Sequence, residues 1–227
     1  MAKATKPRSR RLHANVLVIG MGRFGSALAR ELMRSGHEVL GVDSDERLVQ
    51  LMSSELTHCV KADTTDEAAL RELGVTEFDS AVVSIGADLE ASILTASLLL
   101  QLGVPTVWAK ANSESHGRIL RQLGVHHVIF PEKEMGTRVA HQVSGESLDY
   151  VQIDSDFVMV KANVPESFDG QDLASLKIRS RYGVTVVAVT TGDGNYTPAF
   201  PETILRAGDQ FVVAGQKEPL QEFCQIS

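Results

Sequence analysis

Sulfur, aromatic rings and long apolar runs are all scarce in this sequence. Of 227 residues only 2 are cysteines, Cys59 and Cys224, far apart and without metal-binding or redox spacing. A disulfide scaffold, a zinc ribbon and a dithiol oxidoreductase are therefore excluded, and reduced thiols in a cytoplasmic protein are expected. No apolar stretch reaches the ~18 residues that a membrane-spanning helix needs. Signatures of catalysis are missing too. There is no C-x-x-C, no H-E-x-x-H and no serine elbow, and His13, His37, His58, His116, His126, His127 and His141 form no readable dyad. His126-His127 reads as a strand start rather than a ligand pair. A non-enzyme is expected.

Basic charge is also confined. Lys3, Lys6, Arg8, Arg10 and Arg11 fall within residues 1–13, and without them 17 basic groups face 29 acidic ones, a balance of −12 against −7 for the whole chain. Such a body disfavours non-specific nucleic-acid binding, and nucleic acid is not expected as a partner. The basic start reads as a disordered leader, with an arm for anionic lipid or an acidic partner as the alternative. It mimics a secretory signal, and Ser9-Arg10-Arg11 mimics the twin-arginine type, but Arg23 and three glycines interrupt any apolar signal core.

What is present is a rhythm. From residue 16 to about 145, helix-period stretches end at Gly36, Gly74, Gly103 and Gly124, each followed by an apolar, β-branched run. Strands are predicted near 16–20, 38–42, 58–62, 80–85, 105–109 and 127–130, apolar enough to be buried on both faces. Six strands alternating with helices give an α/β fold of the doubly wound, Rossmann type. From about residue 148 the rhythm changes. "YVQIDSDFVMVKANV" reads as a strand, "GQDLASLKIRSRYG" as a helix, the stretch around Gly192-Asp193-Gly194-Asn195 as a hairpin and "AGDQFVVAG" as a turn and final strand. Two domains are expected, 14–145 and a small α+β unit over 148–227, joined near Ser144-Gly145-Glu146-Ser147.

Ligands of doubly wound sheets sit beyond the carboxyl ends of the strands, and the residues there are Gly20-Met21-Gly22-Arg23-Phe24-Gly25, Asp43, Asp63, Ser84-Ile85-Gly86, Lys110 and Glu132. Gly20, Gly22 and Gly25 have the spacing and the strand-to-helix context of a phosphate loop. Asp43, eighteen residues past Gly25, suits ribose hydroxyls and repels a 2′-phosphate, unless it caps the next helix. Asp63 offers the same choice. Arg23 places a permanent cation in the loop, either to count phosphates or to pair with a surface carboxylate. Glu132 either holds a divalent cation with phosphate oxygens or is an acid in a helix's first turn.

The stretches "GMGRFGSALARELMRSGHEVLGVDSDE", "VVSIGADLEASILTASLLLQLGVPTVWAKA" and "LGVHHVIFPEKEMG" resemble the RCK (KTN) domain of KtrA/TrkA-type regulatory subunits of Ktr/Trk potassium uptake, and "RYGVTVVAV" with "LRAGDQFVVAGQ" resembles the RCK C-terminal (TrkA_C) domain. The likeness covers roughly residues 14 to 225. It implies a cytosolic gating ring, usually an octamer built from homodimers, peripheral to the inner membrane face through a potassium-translocating membrane subunit. ATP and ADP compete in the Rossmann crevice of such rings. The carry-over gives Gly20, Gly22 and Gly25 the phosphate loop, Arg23 the terminal phosphates, Asp43 the ribose, and Asp63 and Ser84 the surroundings of the adenosine and phosphates. Glu132 becomes the ligand of Mg2+ or another divalent cation bridging to ATP between subunits. Cyclic di-AMP binds the second domain of many relatives, and Val186, Val187, Pro198 and Pro201 occupy the comparable stretch here. The basic leader departs from the family's short start. Rival readings are an NAD(H)-binding redox sensor, an NAD-dependent oxidoreductase and a transcription regulator with a Rossmann sensor, the last disfavoured by the acidic body.

Overall fold

A computed structural model of the chain describes residues 13–144, 148–190 and 194–226. The leader up to residue 12, most of the predicted joint and part of the 192–195 hairpin turn lie outside them. The chain divides into two compact units, Met1–Pro131 and Glu132–Ser227.

The first unit alternates β1 (Asn15–Ile19), α1 (Arg23–Arg34), β2 (Glu38–Asp43), α2 (Glu46–Met52), β3 (His58–Lys61), α3 (Glu67–Glu72), β4 (Ser80–Val83), α4 (Leu89–Gln101), β5 (Val107–Lys110), α5 (Glu114–Leu123) and β6 (His127–Ile129). All strand pairs are parallel, in the order β3-β2-β1-β4-β5-β6. Period-two alternation explains the layers. Leu17 and Ile19 of β1 enter one apolar core with Val42, Ala81 and Val83, while Val16 and Val18 enter the opposite core with Val39 and Val82. The expected burial on both faces holds for the central strands but not for β3 and β6, whose residues are half-buried or exposed. Both are sheet edges, which a parallel sheet covers least. His127 on β6 stacks on Trp108 with ring centroids 3.9 Å apart, and His126 Nδ1 accepts the Val107 N–H at 3.0 Å. The four exit glycines take the left-handed conformation, with φ between +65° and +94°.

The second unit holds α6 (Pro131–Val143) from Glu132 onward, β7 (Asp149–Gln152), β8 (Phe157–Asn163), α7 (Leu173–Leu176), α8 (Ile178–Tyr182), β9 (Thr185–Thr190), β10 (Tyr196–Pro198), β11 (Gln210–Gln216) and α9 (Lys217–Cys224). Its strands form an antiparallel sheet, β10-β9-β11-β8-β7. The core gathers Phe168, Leu205, Phe211, Leu220 and Phe223. Arg138 of α6 grips both carboxylate oxygens of Asp149 on β7, each at 2.6 Å, and that pairing holds the Asp149 carboxyl below its usual range. Among the described residues no helix is long and apolar enough to cross a membrane.

Three expectations for this unit are corrected. The stretch read as one strand is a hairpin, β7 and β8, because Asp154-Ser155-Asp156 turns the chain and Ile153 N–H closes onto the Phe157 carbonyl at 2.9 Å. The stretch read as one helix is two short ones, broken at Lys177, a non-glycine residue at φ +49°. The sequence reading also missed α9, which buries Leu220 and Phe223 and carries Pro219 in its first turn. Left-handed backbone costs an L side chain about 1–2 kcal/mol, partly offset for glycine by unfolded-state entropy. Lys177→Gly is therefore expected to stabilise the protein by about 0.5–1 kcal/mol, and urea unfolding showing a loss would contradict that account.

Candidate functional site

The carboxyl ends of β1, β2, β4 and β5 bring most of the predicted residues to one edge of the first sheet. The loop after β1 is built by two glycines with internal reasons and one without. Gly20 sits at φ +92°, and a Cβ there would meet the Ser84 backbone at 3.0 Å. A Cβ on Gly25 would overlap the Gly20 carbonyl and Ser84 Oγ, so α1 approaches the strand only because that position is bare. Gly22 differs: its φ is −64°, open to any residue, and no described atom lies within 4 Å of where a Cβ would stand. Nothing among the described residues demands glycine there, and the bare position leaves the backbone open to close approach.

The start of α1 has a matching peculiarity. Side chains of Asp45, Asp66, Asp88 and Ser113 cap α2, α3, α4 and α5. Gly22 caps α1 without a side-chain bond, and its first turn has no acid. The first N–H groups of a helix have no acceptor within it and carry the positive end of its dipole, so this terminus is left suited to an anion. Arg23 is exposed, and its guanidinium has neither a hydrogen bond nor an ion pair among the described residues. The surface pairing open to it from sequence is therefore not made.

Asp43 lies across the loop and does not cap a helix, since Asp45 caps α2. Its Oδ2 accepts the Met21 N–H at 2.6 Å and its Oδ1 the Asp45 N–H at 2.8 Å, which fixes the carboxylate beside the phosphate loop. Met21 itself is 2% exposed and packs among Met52 and Leu56, so its side chain belongs to the core and its N–H is already used. Ser84 is likewise inward. Its hydroxyl lies 2.8 Å from the Ile19 carbonyl oxygen and 2.6 Å from that of Gly20, with one proton to donate, so it fastens the loop. Ile85 packs partly against the core, and Gly86 is exposed.

Lys110 ends β5 at 8% exposure, with Nζ 6.0 Å from the centroid of the half-buried Phe24 ring and close to Gly86. Asn112, missed from sequence, donates from its amide to the Gly86 carbonyl and so ties the β5–α5 loop to the β4–α4 loop. Its position two residues past a strand end was the available signal. Asp63 is exposed and accepts from the Thr65 N–H at 3.0 Å and hydroxyl at 2.7 Å, bonds that hold its carboxyl below the usual range. Asp66 is the cap of α3. Burial, helped by the Asp43 charge, pushes the Cys59 thiol up, away from thiolate chemistry.

In the second unit, Glu132 lies exposed in the first turn of α6. Among the described residues no three His, Cys, Asp or Glu side chains converge as a metal site. Val187 is 41% exposed at a β-bulge, since Val212 pairs with Ala188 and Val213 with Val186. Pro198 faces Ala188 from the edge strand β10. A cavity of about 180 Å³ elsewhere in this unit is lined by His141, Tyr150, Leu220 and Cys224 among others, and by none of these three residues.

The strand order and this loop define a Rossmann domain of the nucleotide-binding class, followed by a small antiparallel α+β unit. The chain belongs to the family of TrkA proteins: the TrkA-N domain model matches residues 16–131 and the TrkA-C domain model residues 157–227. It is 38% identical over 208 residues to Ktr system potassium uptake protein A of Bacillus subtilis strain 168, covering 91% of this chain and 93% of that one. A structure described as the GsuK channel bound to NAD shares the fold, with a TM-score of 0.63 at 20% identity over 93% of this chain and 39% of that one. Another, of GsuK bound to ADP, has a TM-score of 0.51 at 18% identity over 60% of this chain and 36% of that one. The chain thus spans well under half of those longer channel chains.

Proposed function

We propose that this protein is a cytoplasmic, nucleotide-sensing regulatory subunit of a Ktr/Trk-type potassium uptake system, held at the inner membrane face by a potassium-translocating partner. The observation that carries the reading is the open space at Gly22 beside an uncapped helix start and an unpaired Arg23. Phosphates there receive N–H groups from α1 and the Arg23 guanidinium, while Asp43 takes the ribose hydroxyls. Lys110, Gly86 and Phe24 bound the crevice, and Asp63 stands at its adenosine side. The exchanging ligands are ATP and ADP. NAD(H) is the second reading, favoured by the Asp43 carboxylate and by the fold shared with a channel described as NAD-bound. Glu132, with phosphate oxygens and a neighbouring subunit, holds Mg2+ or a similar cation. Cyclic di-AMP is received at the exposed Val187 and Pro198, beside the half-buried Val186, and homodimers assemble into a ring, of which an octamer is the expected form.

No chemistry on the nucleotide is required by this reading, only unequal affinity for two states of a gate. Moving a gate from 1:99 to 99:1 takes about 5.5 kcal/mol of differential affinity. A charge-assisted bond contributes about 1.5–3 kcal/mol, so a few phosphate contacts repeated around a ring reach that total.

Calorimetry of the purified protein with ATP and Mg2+, ADP, NADH and cyclic di-AMP, one at a time, tests the reading. Tight ATP and ADP binding with weaker NADH supports it, whereas NADH binding that excludes ATP establishes the redox alternative. Arg23→Ala is expected to narrow the preference for ATP over ADP about tenfold or more, from the loss of one charged phosphate bond. Unchanged selectivity would remove Arg23 from that role.

A further inference from the structure

One titratable group in the first unit is buried without a use in the site. His116, in the first turn of α5, is 1% exposed, and its Nε2 has no hydrogen-bond partner among the described residues. Its Nδ1 accepts the Asn112 N–H at 3.4 Å, so the neutral ring carries its proton on Nε2. Ser92, 0% exposed in the first turn of α4, has a hydroxyl that is also unpartnered. Asn112 is the residue whose amide holds the Gly86 carbonyl at the edge of the crevice. A buried imidazole, a loop and the carbonyl of the exposed Gly86 are therefore joined in series.

We propose that His116 is a positioning residue that links nucleotide retention to proton uptake, acting through Asn112 on the Gly86 loop. The inference rests on the nucleotide reading of the crevice. Protonation at Nδ1 removes the acceptor for the Asn112 N–H and places a cation where it has no partner. Relief comes from opening the first turn of α5, which lets the ring reach water and slackens the Asn112 hold on Gly86. Ionisable groups on the elements packed around α5 are Asp88 and Glu90 at the start of α4, Lys110 at the end of β5 and His127 on β6, with Glu114, Arg118 and Arg121 on α5 itself. Burial, rather than any of these charges, lowers the proton affinity of His116. A histidine with a folded pKa below its unfolded value binds more protons when exposed, so the closed state is fully favoured above about pH 6.5 and loses stability as the pH falls below it. By reciprocity, nucleotide binding makes His116 still harder to protonate.

The test has two arms. In the ligand-free protein, NMR of the imidazole nitrogens is expected to show His116 as the neutral Nε2–H tautomer down to a lower pH than the exposed histidines. The Asn112 amide should exchange faster with solvent as His116 finally titrates. Ordinary titration of His116 with a steady Asn112 amide overturns the inference whatever the nucleotide does. In the second arm, ADP affinity is measured at pH 7.5 and 5.5 for the wild type and for His116→Asn, whose amide oxygen keeps an acceptor near Asn112 but takes up no proton. His116→Gln replaces it if the first variant folds poorly. Ionisation of ADP itself is common to all of them. The wild type is expected to lose about fivefold more affinity on acidification than the variant, the low end of usual coupling between sites. Equal losses overturn the inference and leave the crevice reading intact. No ADP binding at pH 7.5 overturns the crevice reading, and this inference with it, even where the ligand-free titration is as expected.

Discussion

Gly25→Ala is expected to destabilise the first unit and abolish nucleotide binding together, while Gly22→Val is expected to abolish binding and cost no more than about 1 kcal/mol of stability, the usual difference between glycine and an apolar residue at a helix start. The contrast follows from what each added carbon meets. At Gly25 it runs into the Gly20 carbonyl oxygen and Ser84 Oγ, and the carbonyl is backbone with little room to move. Overpacking of that kind costs about 1–3 kcal/mol, and the shift it forces falls on the phosphate loop. At Gly22 the backbone is already in a conformation any residue adopts and the space is empty. Urea unfolding and calorimetry on the same preparations separate the two effects. Unimpaired nucleotide binding by Gly22→Val would show that no ligand approaches that space, and the candidate site would have to be abandoned.

Asp43→Ala is the second large effect. The carboxylate holds the Met21 and Asp45 N–H groups at 2.6 and 2.8 Å, tying the phosphate loop to the end of β2. Its removal leaves two donors without their acceptor, each costing about 1–3 kcal/mol when fully buried and less at this partly open edge. Loss of at least about 1 kcal/mol of stability is expected on that ground, together with loss of nucleotide affinity. Asp43→Asn keeps an acceptor for only one of the two donors, so it should fall between the wild type and alanine in both measurements. A stability equal to wild type in Asp43→Ala would mean that the loop stands without this residue.

The glycine loop and Asp43 show how far the sequence was legible. Gly20, Gly25 and Asp43 stood out from spacing, because the close approach of α1 to β1 leaves a pattern of bare positions and an acid after the second strand. The pattern did not reveal what each residue touches. Met21 was placed in the ligand site as part of the glycine loop and Ser84 because it follows a strand's carboxyl end, yet Met21 is a core side chain and Ser84 bonds the loop's own carbonyls. Asn112 and His116 were passed over, since an isolated amide and an isolated histidine carry no motif. They acquire meaning only where β4 and β5 lie side by side. In the second unit the turn at Asp154-Ser155-Asp156 was hidden inside an apolar run, and short α9 offered too few turns for its period to register.

The sequence by itself determined the alternation of strands and helices in the first unit, the glycine exits and the phosphate loop, because these depend on local backbone freedom and on which faces of each element are apolar. Only the tertiary structure decided which polar groups are spent within the fold and which remain for a ligand. Hydrogen bonds such as Asp43 to Met21, Ser84 to Gly20 and Asn112 to Gly86 join residues from different strand ends. Their partners are set by strand order, a long-range property that no local pattern in the chain encodes.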